Sequence, residues 1–130
     1  MELFLIDGIG PFFRHHPRIR ANWSKIPFSH LEENGALPAA RWAQIQSDFA
    51  RFCERVRRVG YNAITLDDLA HLMECPAYPD PLRRKLDAYR SEYSKLFATA
   101  REHDLRVFLT TDVLFYNETI HRVVGSSVDA

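Results

Sequence analysis

Two stretches of the chain repeat one pattern: a helix with an apolar stripe, a short break, and an apolar strand that ends in aspartate. The first stretch spans residues 42–68 and breaks at Gly60, and the second spans residues 86–112 and breaks at His103-Asp104. Parallel strands need a crossover of a dozen or more residues, usually a helix. Strands that alternate with helices of this length therefore predict a parallel sheet.

A third apolar run, residues 3–8, opens the chain and also ends in an acid followed by glycine. The element order is then β-α-β-α-β, which places the chain in the α/β class. We expect parallel strands near residues 3–7, 62–67 and 106–111. We expect helices near residues 39–59 and 83–103 to pack on one face of the sheet, because right-handed crossovers would place them together.

With 130 residues the chain predicts a single domain, residues 1–130, with a long loop at 11–37. Parallel strands are normally buried on both faces, and the helices can cover only one. The sequence therefore predicts that this is an incomplete domain. More strands of a closed barrel, a partner subunit or the long loop could cover the second face. The alternative is a small self-contained three-stranded domain.

Bulk composition excludes some partners. The 17 basic and 17 acidic residues balance, so we expect neither nucleic acid nor an anionic membrane as a partner. No apolar run approaches the roughly 20 residues that span a bilayer, and Asp7 follows without a basic segment, unlike a signal peptide. Cys53 and Cys75 predict two free thiols, hence a reducing, cytoplasmic location.

Polar residues cluster where the predicted strands end, which is where parallel α/β folds carry their function. These candidate substrate-binding residues are Asp7, Asp67, Asp68, Asp112 and Asn117. Carboxylates and amides there could bind the hydroxyl groups of a carbohydrate or another small molecule. The alternative is structural: the same residues could cap turns and order loops.

The long loop is basic and contains an aromatic residue. Arg14, Arg18 and Arg20 could clamp an anion, and Trp23 could stack on a sugar ring. A solvated loop is the alternative. No set of cysteine, histidine and acidic residues has zinc-site spacing, so we predict no metal. Phosphate-loop, dinucleotide and serine-hydrolase motifs are absent, and we predict no cofactor.

The phrases RVRRVGYNAITLDDLAHL (residues 55–72) and YRSEYSKLFATAREHDLRVFLTTDVLF (residues 89–115) resemble the first units of barrel glycoside hydrolases. The nearest are the alpha-glucuronidases and related hexosaminidase-like barrels, and the resemblance covers roughly residues 40 to 117. It implies the first three strands of a TIM barrel and a carbohydrate substrate. Catalytic carboxylates of such enzymes lie on later strands, so the catalytic residues stay unknown and this chain alone would lack the pair.

Two functions follow as alternatives. In the first, the chain is the N-terminal part of a glycoside hydrolase-like barrel and contributes pocket residues. In the second, it is a small non-catalytic α/β domain that forms a homo-oligomer or binds a partner through an uncovered sheet face.

Overall fold

The computed structural model describes residues 2–7, 31–66, 72–74, 76 and 78–109. The elements in these ranges are β1 (Leu5–Asp7), α1 (Ala39–Arg58), β2 (Ala63–Leu66), α2 (Asp80–Glu102) and β3 (Arg106–Leu109). The strands form one sheet in the order β1-β2-β3, and both pairs are parallel. The predicted β-α-β-α-β unit with a parallel sheet is therefore confirmed.

The strand register aligns one apolar row across the sheet. Ile6 of β1 lies opposite Ile64 of β2, and Ile64 lies opposite Val107 of β3. Successive side chains of a strand point to opposite faces, so this row shares a face with Leu66. Ile64 and Leu66 are buried in the core, and Ile6 and Val107 pack against it. This face of the sheet is the covered one.

Each helix adds an apolar stripe to that same core. The stripe of α1 consists of Trp42, Ile45, Phe49, Cys53 and Val56. The stripe of α2 consists of Leu82, Leu86, Tyr89, Tyr93, Leu96 and Ala100. Spacings of three and four residues put each stripe on one side of its helix. The Trp42 ring joins the two stripes, because its centroid lies 5.9 Å from those of Tyr89 and Tyr93.

Both helices end in the same hydrogen-bonded turn. After α1 the Gly60 amide donates to the carbonyl of Arg57 and the Tyr61 amide to that of Val56, at 3.0 and 3.2 Å. After α2 the Asp104 amide donates to Arg101 at 3.0 Å and the Leu105 amide to Ala100 at 2.9 Å. These paired bonds define Schellman motifs. The repeated break in the sequence therefore corresponds to a repeated helix-ending motif.

The start of α2 differs from the sequence prediction. The sequence predicted this helix from about residue 83. It begins at Asp80, with Pro79 as its N-cap and Pro81 in its first turn. Proline is tolerated there because the first amides of a helix have no intrahelical acceptor. The prediction was wrong for Asp80 and Pro81.

The second face of the sheet carries exposed apolar side chains. Leu5 of β1 is 49% exposed and Phe108 of β3 is 41% exposed, whereas Ala63 between their strands is buried. Leu5, Ala63 and Arg106 form one row across the sheet, one position away from the covered row.

Neither α1 nor α2 has the length and apolar character needed to cross a bilayer.

Candidate functional site

The carboxyl ends of the three strands lie at one edge of the sheet. Asp7 is the last residue of β1 and lies opposite Thr65, which lies opposite Phe108. The next pair, Leu66 with Leu109, ends β2 and β3. Neighbouring strands are about 4.8 Å apart, so the three ends span roughly 10 Å. This edge is short enough for residues from all three strand ends to contact one small ligand.

Most of the predicted site residues follow those strand ends or belong to the long loop. They lie outside the described residues, and they are Arg14, Arg18, Arg20, Trp23, Asp67, Asp68, Asp112 and Asn117. The backbone of Asp7 is placed at the end of β1. Asp67 comes directly after Leu66 in the sequence, and Asp112 comes shortly after Leu109. The grouping of these side chains in one pocket stays a prediction.

Asn62 organises the opposite edge, where the strands begin. Its side-chain Nδ2 donates to the Glu2 carbonyl at 2.8 Å, and its Oδ1 accepts the Phe4 amide at 2.9 Å. Its own backbone amide donates to the Phe4 carbonyl, and its carbonyl accepts the Arg106 amide, both at 3.0 Å. Asn62 therefore extends the ladder on both sides of β2. In the sequence Gly-Tyr-Asn of residues 60–62, the first two residues form the turn that ends α1, and Asn62 connects β2 to its neighbours.

A second polar cluster lies on the helix side of the molecule, and the sequence did not predict it. Glu32 is the one buried charged residue in the described part of the chain. Its carboxylate accepts a hydrogen bond from the Tyr89 hydroxyl at 3.1 Å and pairs with the Lys85 ammonium at 3.0 Å. Both partners belong to α2, so Glu32 fastens the segment before α1 onto α2.

A tight turn holds Glu32 in place. Glu33 and Ala36 exchange two backbone hydrogen bonds of 2.9 and 3.0 Å. The two residues between them, Asn34 and Gly35, have positive φ angles of 52° and 77°. Positive φ at both central positions defines a type I′ turn, for which Asn-Gly is a preferred pair. The sequence prediction placed this dipeptide in the long loop of residues 11–37, whereas the structure shows an ordered turn there.

Arg41 adds a third attachment to this segment. Its Nη1 donates to the Glu32 carbonyl at 3.5 Å, and its Nη2 pairs with the Glu33 carboxylate. Because Arg41 belongs to the first turn of α1, the turn of residues 33–36 is tied to both helices. Leu31, immediately before Glu32, is buried in the common core. Residues 31–36 therefore form an ordered attachment between α1 and α2.

A cavity of about 470 Å³ opens beside this cluster. Glu32, Gly35 and Leu37 line one side, and Pro81, Arg84, Lys85 and Ala88 of α2 line the other. A volume of this size lies within the range of small-molecule sites, roughly 300–1,000 Å³. Its wall carries two cationic side chains and one buried carboxylate. The cavity has the polar groups and the size to hold a small polar ligand.

Burial and a neighbouring charge shift the pKa values of two groups outside this cavity. Burial in the core raises the pKa of the Cys53 thiol to about 12, which keeps it protonated at neutral pH. Hydrogen bonding and charge attraction from Arg83 lower the pKa of Asp80 in the first turn of α2. Within the described ranges no cluster of three or more histidine, cysteine or acidic side chains could hold a metal ion.

Comparison with known proteins adds no assignment to this geometry. No family model, no curated protein and no solved structure matches the chain. The parallel sheet and its two helices define an α/β unit.

Proposed function

We propose that this chain is the N-terminal part of a glycoside hydrolase-like barrel and that it contributes substrate-pocket residues at the carboxyl edge of its sheet. The observation that carries the proposal is the arrangement of the strands. They are parallel, they lie in sequence order, and their helices share one core. A strand–helix barrel is built by repeating this arrangement until the sheet closes.

The exposed second face supports the same proposal. In a closed barrel the face that does not meet the helices points inward and is covered by side chains from the other strands. Leu5 and Phe108 lie on that face and are exposed in this chain. Further strands would remove these apolar side chains from water, at about 25 cal/mol for each Å² covered.

In this proposal the pocket is formed by Asp7, Asp67, Asp68, Asp112 and Asn117, and Trp23 stacks on a sugar ring. Arg14, Arg18 and Arg20 would attract an acidic group of the ligand. The chain binds carbohydrate but does not hydrolyse it, because the resemblance places the catalytic carboxylate pair on later strands. Substrate contacts without that pair position a ligand and leave the glycosidic bond intact.

The test is an NMR titration of the ¹⁵N-labelled chain with a panel of aryl glycosides. We expect saturable shifts of the Asp7, Thr65 and Leu109 amides and no release of the aryl group. Asp67→Asn should weaken binding, whereas Asp87→Asn should not, because Asp87 is an exposed residue of α2 that pairs with Arg90. Absence of saturable shifts, or turnover abolished by Asp67→Asn, would contradict the proposal.

A second candidate function rests on the same exposed face. The chain could instead be a non-catalytic α/β domain that associates with a second copy through Leu5 and Phe108. Apolar patches of several hundred Å² on soluble proteins often mark such interfaces. Sedimentation would then show a mass that rises with concentration and falls in Phe108→Lys, and the aryl glycosides would cause no shifts. These two readouts separate the candidates.

A further inference from the structure

The cavity between residues 32–37 and α2 is distinct from the carboxyl edge of the sheet, and its chemistry can be derived independently of the proposed barrel. Its lining combines Glu32, Arg84 and Lys85 with the apolar surfaces of Leu37, Pro81 and Ala88. Such a lining offers an apolar floor and a few convergent polar groups, as small-molecule sites do.

Arg84 is the group best placed to receive an anion. Among the described residues it makes no hydrogen bond or ion pair, although the Asp80 carboxylate attracts it at longer range; Asp80 itself pairs with the neighbouring Arg83. A guanidinium binds a carboxylate through two parallel hydrogen bonds, with geometry that a point charge does not supply. The Lys85 ammonium lies on the same wall and adds a second positive charge.

Glu32 limits which anion can enter. Its side chain is 6% exposed, and its charge is held at the cavity wall by Lys85. Among the described residues that line the cavity, two cations and one anion leave one net positive charge, which suits a monoanion better than a phosphate dianion. An ionised carboxylate has about four lone-pair sites, and Tyr89 and Lys85 occupy one each. Glu32 can therefore accept a hydrogen bond from a ligand hydroxyl.

We propose that this cavity binds a small hydroxylated monocarboxylate, whose carboxylate pairs with Arg84 and whose hydroxyl donates to Glu32. The ordered turn of residues 33–36 makes the site pre-formed, because Glu32 is held by both helices before any ligand arrives. Pre-formed groups lose little conformational entropy on binding. Gly35 lines the cavity without a side chain, so the backbone of the turn is accessible to the ligand.

The experiment is an NMR titration of the full chain with D-gluconate, with acetate and inorganic phosphate as comparison ligands. We expect saturable shifts of the Gly35, Ala36 and Ala88 amides with gluconate. Acetate should bind about tenfold more weakly, because it lacks the hydroxyl that donates to a charged acceptor. At about pH 8.5, where inorganic phosphate is almost entirely the dianion, phosphate should give no saturable shifts at these amides at the same concentration.

Matched variants separate the cavity from general charge attraction. Arg84→Gln should lower gluconate affinity at least tenfold, and Arg58→Gln, an exposed cation of α1 outside the cavity, should leave it unchanged. Ala88→Leu should block binding by filling space while keeping every charge, and its exposed helical position tolerates leucine. Equal losses in both arginine variants, normal binding by Ala88→Leu, or equal shifts with phosphate would overturn the proposal.

Discussion

Gly60 and Asp104 occupy equivalent positions: each is the left-handed residue that follows a helix and precedes a strand. Their φ angles are 101° and 53°. Glycine adopts positive φ without steric cost, whereas other L-residues lose roughly 1–2 kcal/mol, aspartate being among the better tolerated. Both repeats therefore need a residue with positive φ after the helix, and Asp104 adopts it with more strain than Gly60.

The first prediction concerns substitutions at these two positive-φ positions. Asp104→Gly should stabilise the chain by about 0.5–1 kcal/mol, because the strain at positive φ is relieved. Gly60→Ala should destabilise it by about 1 kcal/mol, although no atom lies within 4 Å of the added Cβ. Urea unfolding of each variant measures both changes. Changes of opposite sign in the free energy of unfolding would support the equivalence of the two positions. A Gly60→Ala variant with unchanged stability would count against it.

The second prediction concerns the buried carboxylate. Glu32→Ala should lower the free energy of unfolding by about 1–3 kcal/mol, because the Tyr89 hydroxyl loses its buried acceptor. Tyr89→Phe should cost about 1 kcal/mol, because it removes the hydrogen bond to Glu32. The control is Glu54→Ala, which breaks the exposed Glu54–Arg58 pair and should cost at most about 0.5 kcal/mol. If Glu32→Ala were as mild as the control, the attachment role of Glu32 would be rejected.

The third prediction concerns the core thiol. In a Cys75→Ser background the remaining Cys53 should not react with Ellman's reagent until the chain unfolds, because it is buried and its pKa is raised to about 12. The raised pKa also determines how the stability of the folded chain changes with pH. The unfolded thiol ionises above its ordinary value of 9.0, and the folded thiol does so only near 12. The stability contributed by burial of the neutral thiol is therefore complete below pH 9.0 and is lost between pH 9.0 and 12.

Cys53→Ala provides the control for that pH dependence. It removes the titrating group, so the part of the alkaline stability loss that belongs to Cys53 should disappear. Rapid labelling of Cys53 under native conditions would show that the thiol is accessible and would contradict its assigned burial.

The fourth prediction compares neighbouring positions of β3 on opposite faces. Val107→Lys should destabilise the chain by several kcal/mol, because it places a charge against the core. Phe108→Lys should change the free energy of unfolding by less than about 1 kcal/mol and should reduce binding of 8-anilinonaphthalene-1-sulfonate, because its face is exposed. Thermal unfolding and dye fluorescence measure the two effects. A severe loss of stability in Phe108→Lys would mean that this face is covered.

Local pattern was enough to predict the sheet and both helices. The stripe from Trp42 to Val56 has a helical period over several turns, so it specifies a buried face regardless of its partners. Strand limits were less accurate: β1 begins at Leu5 rather than Leu3, because pairing with β2 and not apolarity alone defines a strand. Pro81 was misjudged because a proline is disruptive inside a helix and acceptable in its first turn.

The buried cluster could not be predicted in the same way. Glu32 and Tyr89 are distant in sequence, and nothing in the local pattern around either residue indicates the other. A glutamate in a polar stretch is ordinarily solvated, and only tertiary contacts bury it. The Asn34-Gly35 pair was a readable turn signal, but it predicts the turn and not the residues on which the turn packs. The carboxyl-edge pocket stays a prediction, because most of its residues lie outside the described ranges.

The side chain of Asn62 has a consequence for the order in which the chain assembles. β1 is only three residues long, and the residues just before it are held by the side chain of Asn62, which lies 58 positions from Phe4 in the sequence. The pairing of β2 with β3 and the packing of α1 on α2 involve no such dependence on the amino terminus. We infer that β1 joins last and opens first. Amide hydrogen exchange at Ile6 should then be faster than at Ile64, its neighbour in the same apolar row, and equal rates would show that the three strands open as one unit.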